Sequence, residues 1–160
     1  MNAAGPAYAH GGELFAFYNR EPLMVTAYYA ATRTHETSPE TGRLRESPYV
    51  PRVTSGLDVA FEEDESGVRI GLEVFYTGPQ AVEENPYRII APGYTTIGVL
   101  ASKQLGRTML YLNLENLTNV RQTNYDPLLR QTPGEGGRRT VDEWAPLEGR
   151  SANAGMRMRL

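Results

Sequence analysis

The side chains that could carry chemistry fall into small groups, each suited to a different reaction. Carboxylates gather at Glu62, Glu63, Asp64 and Glu65, and again at Glu83 and Glu84. Paired carboxylates can divide general-acid and general-base work, but only across a defined cleft, and acidic runs at chain reversals are ordinarily solvated. His10 and His35 stand apart with no carboxylate at ligand spacing, so no metal-binding pattern emerges. Gly134, Gly136 and Gly137 could cradle a phosphate, yet no Gly-Lys-Ser/Thr follows and no strand-to-helix context surrounds them, so they read as loop. His10-Gly11-Gly12 echoes an oxyanion-hole stretch without the nucleophile elbow that would use it. Asn116-Leu117-Thr118 fits a glycosylation acceptor but reads better as the end of a strand. An aromatic stripe, Tyr28, Tyr29, Phe61, Phe75 and Tyr76, is either a ligand platform or packing surface, with packing the commoner case. None of these groups forms a catalytic constellation, so the expectation is a non-enzymatic protein without a cofactor.

What must position these residues is a chain of 160 residues with 10 Tyr, 4 Phe and 1 Trp beside 16 Gly and 11 Pro. That mixture favours strands and turns over helices. A formal charge of -3 with no basic run gives no support to a nucleic-acid partner. With 0 Cys, disulfide scaffolds, thiolate nucleophiles and Cys-ligated metals are excluded. The N-terminus lacks the basic and apolar regions of a secretory signal, and no stretch is long and apolar enough for a spanning helix.

The clearest period in the chain is at 107–119, where Leu110, Leu112 and Leu114 alternate with Tyr111, Asn113 and Glu115. A period of two is a strand signature. It suits a half-buried strand of a soluble protein, and equally a membrane barrel strand with lipid on one side and a wet lumen on the other. Similar strands are expected at 13–18, 23–33, 52–62, 68–76, 94–103 and 150–160, with 1–12 irregular. The connections between them run short, long, short, long, short, long, the long ones at 34–51, 77–93 and 120–149. Outer-membrane barrels sort their connections this way, and Tyr18, Tyr49, Tyr76, Tyr94 and Tyr125 would fit interfacial girdles. Period and composition alone leave a barrel piece and a soluble or exported all-β ligand-binding module both open.

The block Tyr111-Leu112-Asn113-Leu114-Glu115-Asn116-Leu117-Thr118-Asn119, then Arg121 and Tyr125-Asp126-Pro127, then Trp144-Ala145-Pro146-Leu147-Glu148-Gly149-Arg150 and a terminal alternating strand, carries a resemblance. It resembles the C-terminal barrel part of TonB-dependent outer-membrane receptors, transporters for siderophore-bound iron, vitamin B12, haem or sugars. Tyr76 to Gln80, reading YTGPQ, also looks like the family, so the likeness covers roughly 13–160. The resemblance implies an all-β fold: an antiparallel up-and-down meander of about seven transmembrane strands, a segment of a barrel of about 22 strands. It implies a bacterial outer-membrane location and a fragment lacking the N-terminal plug. Implied partners are outer-membrane lipid, a TonB-type energy-coupling protein acting through the missing N-terminal part, and the barrel-assembly machinery. The family favours a terminal aromatic for that machinery, whereas this chain ends Met158-Arg159-Leu160. With the long connections outside, Asp58, Arg69, Glu73, Asn113, Glu115, Arg157 and Arg159 would face the lumen. Tyr49, Tyr87, Arg88, Tyr125, Arg130 and Trp144 would be candidate extracellular ligand contacts, with no metal among them.

Overall fold

Alternating residues with β-branched and aromatic side chains make strands, and the glycines and prolines between them make the reversals. The computed structural model describes residues 5–159. The strands are β1 (Tyr8–Arg20), β2 (Leu23–Thr37), β3 (Leu44–Glu46), β4 (Val53–Glu63) and β5 (Val68–Thr77), then β6 (Gln80–Ala81), β7 (Ile90–Ala91), β8 (Tyr94–Leu105), β9 (Thr108–Glu115) and β10 (Ser151–Met158). Seven of them form one antiparallel meander in the order β1-β2-β4-β5-β8-β9-β10. β3 adds to β2, and β6 pairs with β7 as a separate two-stranded ladder. The order begins at β1 and ends at β10, and the described residues of those two strands do not pair with each other, so the sheet is open.

Short reversals at 21–22, 64–67 and 106–107 lie at one end of the sheet, and the connections 38–52, 78–93 and 116–150 lie at the other. Gly67 and Gly106 take φ of 64° and 58° at two of the short turns, the left-handed region a glycine enters without steric cost.

Register sorts the side chains. Residues directly opposite in an antiparallel sheet point to the same face. Val25, Val59, Leu72, Val99, Leu114 and Ala152 are successive cross-strand partners and make an apolar row across six strands. The other face carries Asp58 opposite Glu73, Arg69 opposite Ser102, and Asn113 opposite both Leu100 and Asn153. Neither face is covered. Leu14, Leu57, Ile70, Leu72, Leu110 and Leu112 on the apolar side are exposed, and Met156 is 72% exposed. A soluble sandwich would bury this face against a second layer.

The core lies instead in the long connections. Ala81, Ala91, Val120, Val141, Trp144 and Ala145 are the buried apolar residues, and none of them belongs to the seven-stranded meander. Trp144, Ala91 and Ala145 form the centre, with Tyr49, Val82 and Tyr94 packed against it.

Several expectations need correction. Residues 8–12 are not irregular: Tyr8 to Gly12 extend β1 and pair with His35 to Ala31 of β2. Glycine does not break the strand there because Gly11 abuts the Ala31 carbonyl, where a Cβ would not fit. Regular pairing enters the spans expected to be long connections: Thr34 to Thr37 continue β2, β6 and β7 pair, and Leu129 bridges Thr140. The proposed aromatic girdle loses Tyr49 and Tyr125 to the packed connections, and Tyr94 shares the polar face with its partner Thr77. The aromatic stripe divides as well. Tyr28 and Phe75 flank Gly56 on the polar face, where a Cβ at Gly56 would strike both rings, while Tyr29, Phe61 and Tyr76 lie on the apolar face. Leu160, expected on the apolar row, lies outside the described residues.

Candidate functional site

The three long connections bond much of their backbone internally and are joined to one another by two backbone bonds and a set of side-chain contacts. The first connection is pinned to the second by Tyr49 N donating to Ala81 O at 2.8 Å and Arg52 N to Pro79 O at 3.0 Å. Arg45 adds ion pairs to Glu36 at 2.9 Å and to Glu83 at 2.6 Å. Arg52 grips Glu46 through two nitrogens at 2.8 and 2.7 Å, a bidentate geometry that holds the Glu46 carboxyl below its usual range.

The second connection is pinned to the third by Arg88, whose guanidinium forks onto Asp126, with Nη2 at 2.6 Å from Oδ1 and Nε on Oδ2. The same guanidinium lies 5.2 Å from the Trp144 ring centroid and 6.0 Å from that of Tyr125, and the two rings are themselves 5.2 Å apart. Asp126 is buried, and this arginine supplies its ion-pair partner. Tyr87 donates its hydroxyl to Leu129 O at 2.5 Å, and Arg130 lies 3.5 Å from Glu84.

The first and third connections share one hydrogen bond. The Tyr49 hydroxyl lies 2.9 Å from Glu83 O and 3.0 Å from Asp142 Oδ2, and it accepts from Glu83 N at 3.2 Å. Burial, together with the Asp142 carboxylate, pushes the Tyr49 phenol up to about 12. Asp142 is held below the usual carboxylate range, first by the Arg138 guanidinium at 2.6 and 3.1 Å and then by Tyr49.

All six candidate contact residues are therefore gathered in this cap. Tyr49, Tyr87, Arg88, Arg130 and Trp144 hold the connections to one another, and the Tyr125 ring lies tilted against Trp144 beside Arg88. Tyr49 and Trp144 also line a recess of about 660 Å³ with Pro51, Thr77, Gln80, Tyr94, Glu143, Ala145 and Pro146. Two residues that the sequence reading passed over organise the cap. Gln122 is fully buried, donates to Asp142 O at 2.9 Å and accepts from Trp144 N at 2.8 Å and Ala145 N at 3.3 Å. Gln80 donates to Trp144 O at 2.9 Å. A lone glutamine in a loop carries no pattern to betray it. The Asn-Leu-Thr-Asn block owes its shape to Asn116 and Asn119, at φ 49° and 56°. Asn116 clamps Val120 and Glu148 O, so the block ends β9 and closes the third connection on itself.

Asp58, Arg69, Glu73, Asn113, Glu115 and Arg157 share the polar face by register, and Arg159 lies one residue past β10, its N–H donating to Arg107 O at 2.9 Å. Asn113 donates to Glu115 at 2.7 Å, as does Ser151 at 3.1 Å, and Arg69 stands 3.9 Å from Glu62. Asp58 and Glu73, directly opposite each other, have no ion-pair partner among the described residues. His10 and His35 come onto one face with Tyr8 stacked 5.0 Å from His35 and 6.2 Å from His10.

An open meander with one uncovered apolar face, one polar face, tight turns at one end and long packed connections at the other defines a segment of an outer-membrane-type β-barrel. No family model and no curated sequence matches the chain. Among solved structures it is similar to the ferric-catecholate import receptor Fiu of E. coli K12 in its closed form, at 14% identity and a TM-score of 0.65, over 94% of this chain and 21% of that one. It is also similar to the FrpB iron transporter of Neisseria meningitidis, F3-3 variant, at 16% identity and a TM-score of 0.62, over 94% of this chain and 23% of that one. Both are TonB-dependent receptors, and the fold of this chain is that of part of their barrel. The chain spans about a fifth of the length of either structure.

Proposed function

We propose that this chain is the C-terminal segment of the barrel of a TonB-dependent outer-membrane receptor, residues 13–160 together with the strand extension at 8–12, and that the whole receptor imports a scarce nutrient. The observation that carries the reading is the segregation of the sheet into one exposed apolar face and one polar face, with every long connection at the same end. In this reading the leucine and methionine face meets lipid. Asp58, Arg69, Glu73, Asn113, Glu115, Arg157 and Arg159 line the lumen, and the cap is extracellular. Charges left in lipid would cost about 2–4 kcal/mol each at the membrane midplane. An iron chelate is the favoured nutrient because the two structural neighbours are an import receptor for ferric catecholates and an iron transporter. Vitamin B12 is the alternative cargo. The energy comes through a TonB-type partner acting on the N-terminal part of the whole receptor, and insertion through the barrel-assembly machinery. Candidate ligand contacts are the cap residues that border the recess, Tyr49 and Trp144, supported by Tyr87, Arg88, Tyr125 and Arg130.

These 160 residues hold 0 Cys, so an introduced cysteine is the single thiol among them. Leu112→Cys and Asn113→Cys are neighbours on opposite faces. In intact outer membranes a water-soluble, membrane-impermeant maleimide is expected to label Asn113→Cys and spare Leu112→Cys until detergent is added. Equal labelling of both before detergent overturns the reading.

A further inference from the structure

Among the described residues, a single hydrogen bond joins the first long connection to the third, the contact of the Tyr49 hydroxyl with Asp142 at 3.0 Å. The same oxygen is held by both backbone atoms of Glu83 in the second connection. Three segments far apart in sequence thus converge on one phenolic oxygen. Tyr49 reaches it from a backbone at φ 60°, a conformation disfavoured for a residue with a Cβ and sustained only when the surroundings over-determine it. Its ring packs on Ala91, Trp144 and Ala145, and it also forms one wall of the 660 Å³ recess. The other links are pairwise: Arg45, with the backbone bonds at Tyr49 and Arg52, ties first to second, while Arg88, Gln80, Tyr87 and Glu84 tie second to third. Among these hydrogen bonds and ion pairs, only those of the Tyr49 hydroxyl involve all three connections.

We propose that the Tyr49 hydroxyl is a latch that makes the three connections open and close as one body, and that its release loosens 138–144 and 80–84 together. This holds whether or not the chain belongs to a receptor, because it concerns the connections alone.

The test is hydrogen exchange on the full chain, in the membrane or detergent environment in which it folds, comparing wild type with Tyr49→Phe, which keeps the ring and removes the hydroxyl. Losing a hydrogen bond to a charged group is expected to speed exchange about tenfold at 80–84 and 138–144 together, while the amides of β4, β5, β8 and β9 stay as in wild type and report that the fold is intact. Asp142→Asn, which weakens the same contact from the third connection, is expected to loosen 49–51 and 80–84 in turn. The latch is refuted if Tyr49→Phe changes exchange only within 47–51 or nowhere. It is equally refuted if Asp142→Asn loosens the third connection while leaving the other two unchanged.

Discussion

At the level of the single residue, Gln122 shows how much one polar side chain can organise when it is fully enclosed. Its amide serves the carbonyl of Asp142 and the backbone N–H groups of Trp144 and Ala145, so it stands in for the secondary structure that this part of the third connection lacks. Removing one partner of a buried hydrogen bond leaves the other desolvated and unpaired, at about 1–3 kcal/mol per group. Gln122→Ala is therefore expected to destabilise the cap by roughly 3 kcal/mol or more, visible as protease cleavage in 138–144 under conditions where wild type resists. Gln122→Glu, which keeps the acceptor and loses the amide donor, should fall between. Sequence reasoning found the large cap residues, Tyr49, Arg88 and Trp144, because aromatic and arginine side chains in proline-rich connections are conspicuous. It offered them as candidate ligand contacts, and in the structure they bond to other residues of the connections, Glu83, Asp142, Asp126, Gln80 and Gln122. Gln122 and Gln80 went unseen because nothing in composition or spacing separates a buried glutamine from a solvated one.

Among the strands, the two-residue period was legible throughout: Leu110, Leu112 and Leu114 share a face with their cross-strand partners, and Asn113 and Glu115 share the other. Strand ends were less so. β1 and β2 run to 13 and 15 residues, several beyond the alternating stretch, because pairing across Gly11 and Gly12 requires only backbone. The face assignment makes a paired prediction. Leu112→Arg places a charge on the apolar row and is expected to cost about 2–4 kcal/mol if that row sits at the midplane, whereas Asn113→Arg, one residue on, should cost about 1 kcal/mol or less. The yield of folded protein in outer-membrane fractions measures the difference. Similar yields for the two variants would place both faces in the same environment.

For the whole molecule, the missing layer is the dominant fact. β1 and β10 each present an edge, and the apolar row between them is open. Unpaired edges and exposed apolar surface promote association in water. The isolated 160-residue chain is expected to scatter light and sediment as aggregate in buffer, and to remain dispersed in detergent micelles that cover the apolar face. A monodisperse monomer in plain buffer would require another way of covering that face. Sequence alone supplied the all-β class and the alternation of short and long connections. It could not reveal that 116–150 folds back into a packed cap, because that packing joins Trp144 to Ala91 and Tyr49, partners too distant along the chain for any local pattern to announce.

The inversion of core and surface has an evolutionary consequence. In most domains the regular elements hold the packing and the loops drift freely. On the proposed reading, a strand position that faces lipid asks only for the right polarity, so leucine, valine or methionine serve almost interchangeably. The cap positions ask for particular shapes and donors. Neutral substitutions should therefore accumulate along the strands, and the intolerant positions should lie in the connections, at Gln80, Gln122, Asp126 and Trp144. A family tree built from the strands would then record mostly drift, while one built from the connections would record what selection has held.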